Sequence, residues 1–121
     1  MVTAGATDTE VTDVPLSQAN NCRTGGDVEP WVVPDGTLMF FSSLIYTGAT
    51  CSDSGDGTRR LSYAQMDPST GQQVGRATAI LVHLSGFQDH APSLTADMCS
   101  LLFASNRDGD DELDIFIAPR N

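Results

Sequence analysis

An all-β fold, built as two similar antiparallel sheets in succession, is predicted by three observations: short apolar runs between regularly spaced turn residues, near absence of helical periodicity, and an internal repeat. Eleven glycines and six prolines punctuate the 121 residues. Between them lie Leu38 to Phe41, Ala79 to Val82, Leu101 to Ala104 and Leu113 to Ala118. Runs this short, rich in β-branched and aromatic residues, favour strands over helices. Several are apolar on both faces, as suits strands sandwiched between neighbouring layers.

The repeat sets the organisation. Pro30 to Ser43 lies over Pro92 to Asn106, with Pro30 and Pro92, and likewise Asp35 and Asp97, 62 residues apart. One additional residue, Ser100 or a neighbour, is expected in the second copy's turn. Each copy reads as a short strand, a tight turn and a strongly apolar strand. Arg60 to Met66 aligns with Leu113 to Pro119 as a third strand. Asp67-Pro68-Ser69-Thr70-Gly71 makes the next turn, and a fourth strand over about 77–84 leads into the second copy. Each unit is thus expected to be a four-stranded antiparallel meander, the first over about 28–84 and the second over about 90–118.

Turn chemistry supports this division. In Val33-Pro34-Asp35-Gly36, Pro34 presets φ, Asp35 can accept bonds from turn amides, and Gly36 suits the left-handed position. Ala96-Asp97-Met98-Cys99 keeps the aspartate but lacks Pro and Gly, so its turn is expected to differ. Ser105-Asn106-Arg107-Asp108-Gly109 forms a second turn motif, with Asp114 placed to accept bonds from the Ser105–Asp108 backbone.

The pattern Pro-x-x-x-Pro-Asp-Gly-x-Leu-x-Phe-x-Ser, with Phe103 to Gly109 and Asp114-Ile115-Phe116, resembles the WD40-like (PD40) repeat of TolB-type β-propellers. The resemblance covers about 28–45 and 90–118 well and the intervening strands loosely. It implies two consecutive four-stranded propeller blades, an exported or periplasmic setting, and a protein- or ligand-binding platform with no particular reaction. The first strands, carrying Trp31 and His90, would line the central channel and its rim. Two blades leave two outer faces bare, and repeat folds generally need about three units or more. A fourth-type strand is expected at about 10–17, which a partner's last blade could use as its missing outer strand. The remaining blades come either from a longer propeller or from identical chains, three of them closing a six-bladed ring.

Six basic against sixteen acidic residues give a net charge of −10. Such a surface repels phosphate backbones and anionic lipid heads, so neither nucleic acid nor membrane is an expected partner. A cationic ligand or a basic protein face fits better. No stretch approaches the ~18 apolar residues of a spanning helix, and Met1 to Glu10 shows no basic and apolar leader pattern. Cys22, Cys51 and Cys99 follow no C-x-x-C spacing, which argues against zinc. One disulfide with a free thiol is expected in an oxidising compartment, with three pairings open. Abundant Thr, Ser, Asp and Gly with little Lys lean the same way, towards a periplasmic or secreted protein.

Asn106, Asp108, Asp110 and Glu112 place oxygens at alternate positions, as calcium loops do, but lack the full loop pattern. A structural turn is the better account, and the same holds for Asp53 to Gly57. His83 and His90 have no third ligand at metal spacing, and Trp31 is better explained as packing between sheets than as a ligand platform. No G-x-S-x-G elbow or Ser…Asp…His set is present, and no cofactor is expected. The expected function is a non-enzymatic binding or scaffold module that engages protein or ligand at the rim or channel mouth. The alternative is the propeller portion of a larger peptidase or glycan-degrading hydrolase whose catalytic residues lie outside this chain.

Overall fold

The computed structural model describes residues 14–18, 22, 24–45, 51, 58–80, 82, 86–109 and 111–119. Among these residues the chain is all-β, with two antiparallel sheets and no helix. Strands β1 (Gly25–Val32), β2 (Leu38–Leu44), β3 (Arg60–Gln65) and β4 (Thr78–Ala79) make the first sheet in that order. Strands β5 (Asp89–Leu94), β6 (Ser100–Ser105) and β7 (Asp114–Pro119) make the second.

The two sheets repeat more closely than the sequence alignment implies. In the first, Trp31 pairs with Phe40 and Val32 with Met39; in the second, Ser93 pairs with Leu102 and Leu94 with Leu101. Every one of these positions is displaced by 62, so no extra residue stands in the second turn. The turns are built alike as well. Gly36 N–H donates to the Val33 carbonyl and Val33 N–H to the Leu38 carbonyl; Met98 to Thr95 and Thr95 to Ser100 repeat this. Met98 takes the left-handed conformation of Gly36, at φ 59° against 78°. The expectation of a different turn fails because an exposed side chain can occupy that region at a cost of roughly 1–2 kcal/mol. Asp35 Oδ1 accepts from Thr37 N–H, and Asp97 Oδ1 accepts from Cys99 N–H, each at 3.0 Å.

The third strands need a one-residue correction. Ser43 pairs with Arg60 and Ser105 with Asp114, so Arg60 corresponds to Asp114, Leu61 to Ile115 and Tyr63 to Ile117. A one-residue slip matters because it exchanges the two faces of a strand. Within the fourth strand expected over 77–84, Thr78 and Ala79 pair with β3, while positions 81, 83 and 84 lie outside the described residues.

Face assignment follows from the register. Met39, Phe41 and Ala64 lie on one side of the first sheet, in a buried cluster with Leu16, Met66 and Ala77. Phe40 and Leu61 lie on the other side and meet Leu101 and Phe103 of the second sheet. The segment expected as a donated strand is used within its own chain here. Leu16 is buried against the first sheet, and Gln18 makes one parallel bridge to Ala77 rather than a strand. Residues 10–13 lie outside the described residues. Cys22 is bonded to Cys51, and Cys99 is free and exposed, which settles the pairing left open by the sequence.

Two measurements test these turns. Gly36 faces Pro68, whose Cβ would lie 3.0 Å from an added Cβ, and it needs positive φ; Gly36→Ala should cost about 1–2 kcal/mol in urea unfolding. Met98→Ala, which keeps a side chain where one is already accommodated, should cost less. Asp35, Asp67 and Asp97 are held below the usual carboxylate value of 3.8, chiefly by side-chain hydrogen bonds from Thr37, Ser69 and Thr95. A depressed folded value favours the fold above the unfolded value and loses that contribution as pH falls through the folded one. Urea midpoints should therefore drop below about pH 4, and replacing all three by Asn should flatten that acid limb.

Candidate functional site: the seam and the bulged first strands

The sheets meet at one end through a chain of polar contacts centred on Asp89, which is fully buried. Its amide donates to the Arg59 carbonyl at 3.1 Å, and its own carbonyl accepts from Ser42 Oγ at 2.8 Å. Arg59 N–H donates to Gln88 Oε1, and Gln88 N–H to Asn106 Oδ1, each at 2.8 Å. Arg107 closes the seam: its guanidinium donates to Asp89 Oδ1 at 3.1 Å, to the Val82 carbonyl at 3.0 Å and to Ser105 Oγ at 3.2 Å. It also lies over the Phe103 and Phe116 rings, 4.7 and 5.5 Å from their centroids. A buried carboxylate is tolerable only with such matching.

Beside this seam run the first strands, β1 and β5, which are sheet edges packed against one another. Each carries a bulge, between Val28 and Trp31 and between His90 and Ser93. At equivalent positions Glu29 and Ala91 adopt φ of 58° and 51°. Each precedes a proline, Pro30 or Pro92, which cannot donate to a ladder and so belongs at an edge or bulge. The bulges bring His90 Nδ1 within 2.9 Å of Glu29 Oε1, the imidazole N–H donating to the carboxylate. Left-handed non-glycine residues cluster at functional sites more often than elsewhere, which directs attention here.

The sequence-predicted residues separate into two ends. Pro34, Asp35, Gly36 and Asp97 lie in the turns at the far end of the strands. Ser105, Asn106 and Arg107 gather at the seam, while Gly109 closes the following turn by donating to the Asn106 carbonyl at 2.9 Å. Trp31 packs tilted against Phe40 at 6.1 Å, and Phe40 tilted against Tyr63 at 6.0 Å, an aromatic row across three strands. Asp114 does not serve the Ser105–Asp108 backbone as expected; it is exposed at the start of β7, and Ser105 Oγ accepts the Arg107 amide instead. The calcium candidates are described only in part. Asn106 Oδ1 is committed to Gln88, Asp110 lies outside the described residues, and no metal-holding group of three His, Cys, Asp or Glu occurs among the described residues. His83 and the Asp53–Gly57 loop also lie outside them.

Sequence reasoning missed Asp89, Glu29 and Ala91. Their signal was the repeat itself, since the two X-Pro steps at 62-residue spacing mark a bulge in an edge strand. No protein-family model, no curated protein and no solved structure matches the chain.

Removing the guanidinium should show how much the seam carries. Arg107→Ala removes a charged donor from a buried carboxylate and should cost about 3–5 kcal/mol in denaturant unfolding. Arg107→Lys should recover only part of this, because an ammonium cannot keep the forked contacts and the ring stacking together.

Proposed function

We propose that the two sheets are consecutive blades of a β-propeller and that the chain is a non-enzymatic binding or scaffold module. Its contact surface is the end where Glu29 and His90 meet. The observation that carries this reading is the pair of matching bulges in β1 and β5, each with a left-handed residue ahead of a proline. They turn adjoining edges into a rigid display of side chains and block further strand addition there. Agreement of turn, bulge and ladder under one offset supports the blade assignment. Further blades come from the remainder of a longer propeller or from identical chains.

The partner is a basic protein segment or a cationic ligand. Asp27 and Glu29 are exposed at this end, and the chain's net charge of −10 favours cations throughout. The Cys22–Cys51 bond supports a periplasmic or secreted location, where disulfides persist.

Fluorescence polarisation with arginine-rich and glutamate-rich decapeptides tests this. The basic peptide should bind, lose affinity several-fold between about 50 and about 300 mM salt, and bind more weakly still to Glu29→Lys. Equal binding of both peptides, or none, would sink the proposal, as would a hydrolase activity abolished by changing Asp27 and Glu29.

A further inference from the structure

Beside the turns the two sheets part around a cleft of about 550 Å3. Its walls include Phe40 of β2 and Tyr63 of β3 from the first sheet. Leu94 of β5, Met98 of the following turn and Leu101 of β6 face them from the second. The cleft continues the interface between the sheets, because Phe40 and Leu94 also pack against the buried Leu61, Leu101 and Phe103. It opens to solvent beside Tyr63 and Met98, each 37% exposed. A concave, largely apolar space of roughly 300–1,000 Å3 with a few polar groups is what small-molecule sites have in common.

Three features of the lining define what fits. The aromatic row of Trp31, Phe40 and Tyr63 runs into the cleft, and its rings favour offset or edge-on contact with another ring. Met98 stands opposite, with a polarisable thioether that also favours aromatic partners. In the repeat Met98 takes the place of Gly36, at a φ of 59° that strains any L side chain. Strained residues of this kind cluster at ligand clamps. Charge is the second feature. None of the described lining residues is charged, so a charged ligand would lose water without gaining a partner. The chain's net charge of −10 disfavours anions further. Third, Tyr63 and Ser100 bring hydroxyls to the otherwise apolar side chains of the lining. The Tyr63 hydroxyl makes no hydrogen bond to another described residue, which leaves it for a ligand.

We infer that the cleft binds an uncharged, planar aromatic molecule carrying a hydroxyl or carbonyl group. The ring system is held between Phe40 and Tyr63 on one side and Met98 on the other, with the polar group at the Tyr63 hydroxyl. The inference does not depend on what binds near Glu29, which stands at the other end of the strands.

Methyl NMR of the full, unmodified chain titrated with 2-naphthol tests it without any variant. Saturable shifts should appear at Ile80, Leu94 and Met98, which line the cleft, and not at Leu16 or Ile117, which do not. Calorimetry should then rank the probes. Naphthalene-2-carboxylate should bind at least about tenfold more weakly than 2-naphthol, and 1-octanol should also bind more weakly, since a flexible chain forgoes the ring contacts. Met98→Ala should weaken 2-naphthol about two- to tenfold with unchanged circular dichroism. Tyr63→Phe keeps the ring and should remove the advantage of 2-naphthol over naphthalene. Absence of saturable shifts at millimolar probe overturns the inference, as do shifts centred on Ile117. Equal affinity for the carboxylate, tighter binding of 1-octanol, or full affinity in Met98→Ala overturns it too.

Discussion

Burial of the Asp89 carboxylate between the sheets constrains everything around it. A buried polar group must be matched by partners in fixed places, and here Arg107 supplies one of them. The guanidinium also rests on Phe103 and Phe116, so ion pair and apolar layer share atoms and cannot be adjusted separately. At this end the spacing of the sheets is set by directional bonds. At the turn end they diverge around a cleft of about 550 Å3 whose walls include Phe40, Tyr63, Leu94 and Met98. The polar seam thus lies at the end where Glu29 and His90 stand, and the apolar cleft lies beside the turns.

That asymmetry bears on how the chain makes contacts. Edge strands invite pairing with other chains unless something interrupts them. In β1 and β5 the interruption is a bulge with a proline after a left-handed residue, and the strain of roughly 1–3 kcal/mol per such residue must be offset nearby. The seam supplies that offset, with Asp89 one residue before His90 and two before Ala91. Contacts made at these edges therefore fall to side chains, and contacts between sheets fall to their faces.

Much of this was legible because spacing survives where residue identity does not. The Asp35–Asp97 interval located both turns and the pairing of β1 with β2 and β5 with β6. Identity misled at Met98, because a rule that reserves positive φ for glycine describes frequencies rather than prohibitions. The third strands slipped by one residue because β3 and β7 share little beyond apolar character, and alternation alone does not fix phase. Asp89 stayed hidden for another reason. Its importance comes from Arg107, 18 residues away, and from Ser42, 47 residues away, and no local pattern reports partners at that distance.

The contact surface proposed for this chain feels its charge. Attraction of a basic ligand to Asp27 and Glu29 would weaken as salt is added, since it depends on the unscreened field. The Arg107–Asp89 contact is buried and made at hydrogen-bond distance, so salt screens it much less. Ionic strength therefore acts on the proposed surface and leaves the seam that holds the two sheets together.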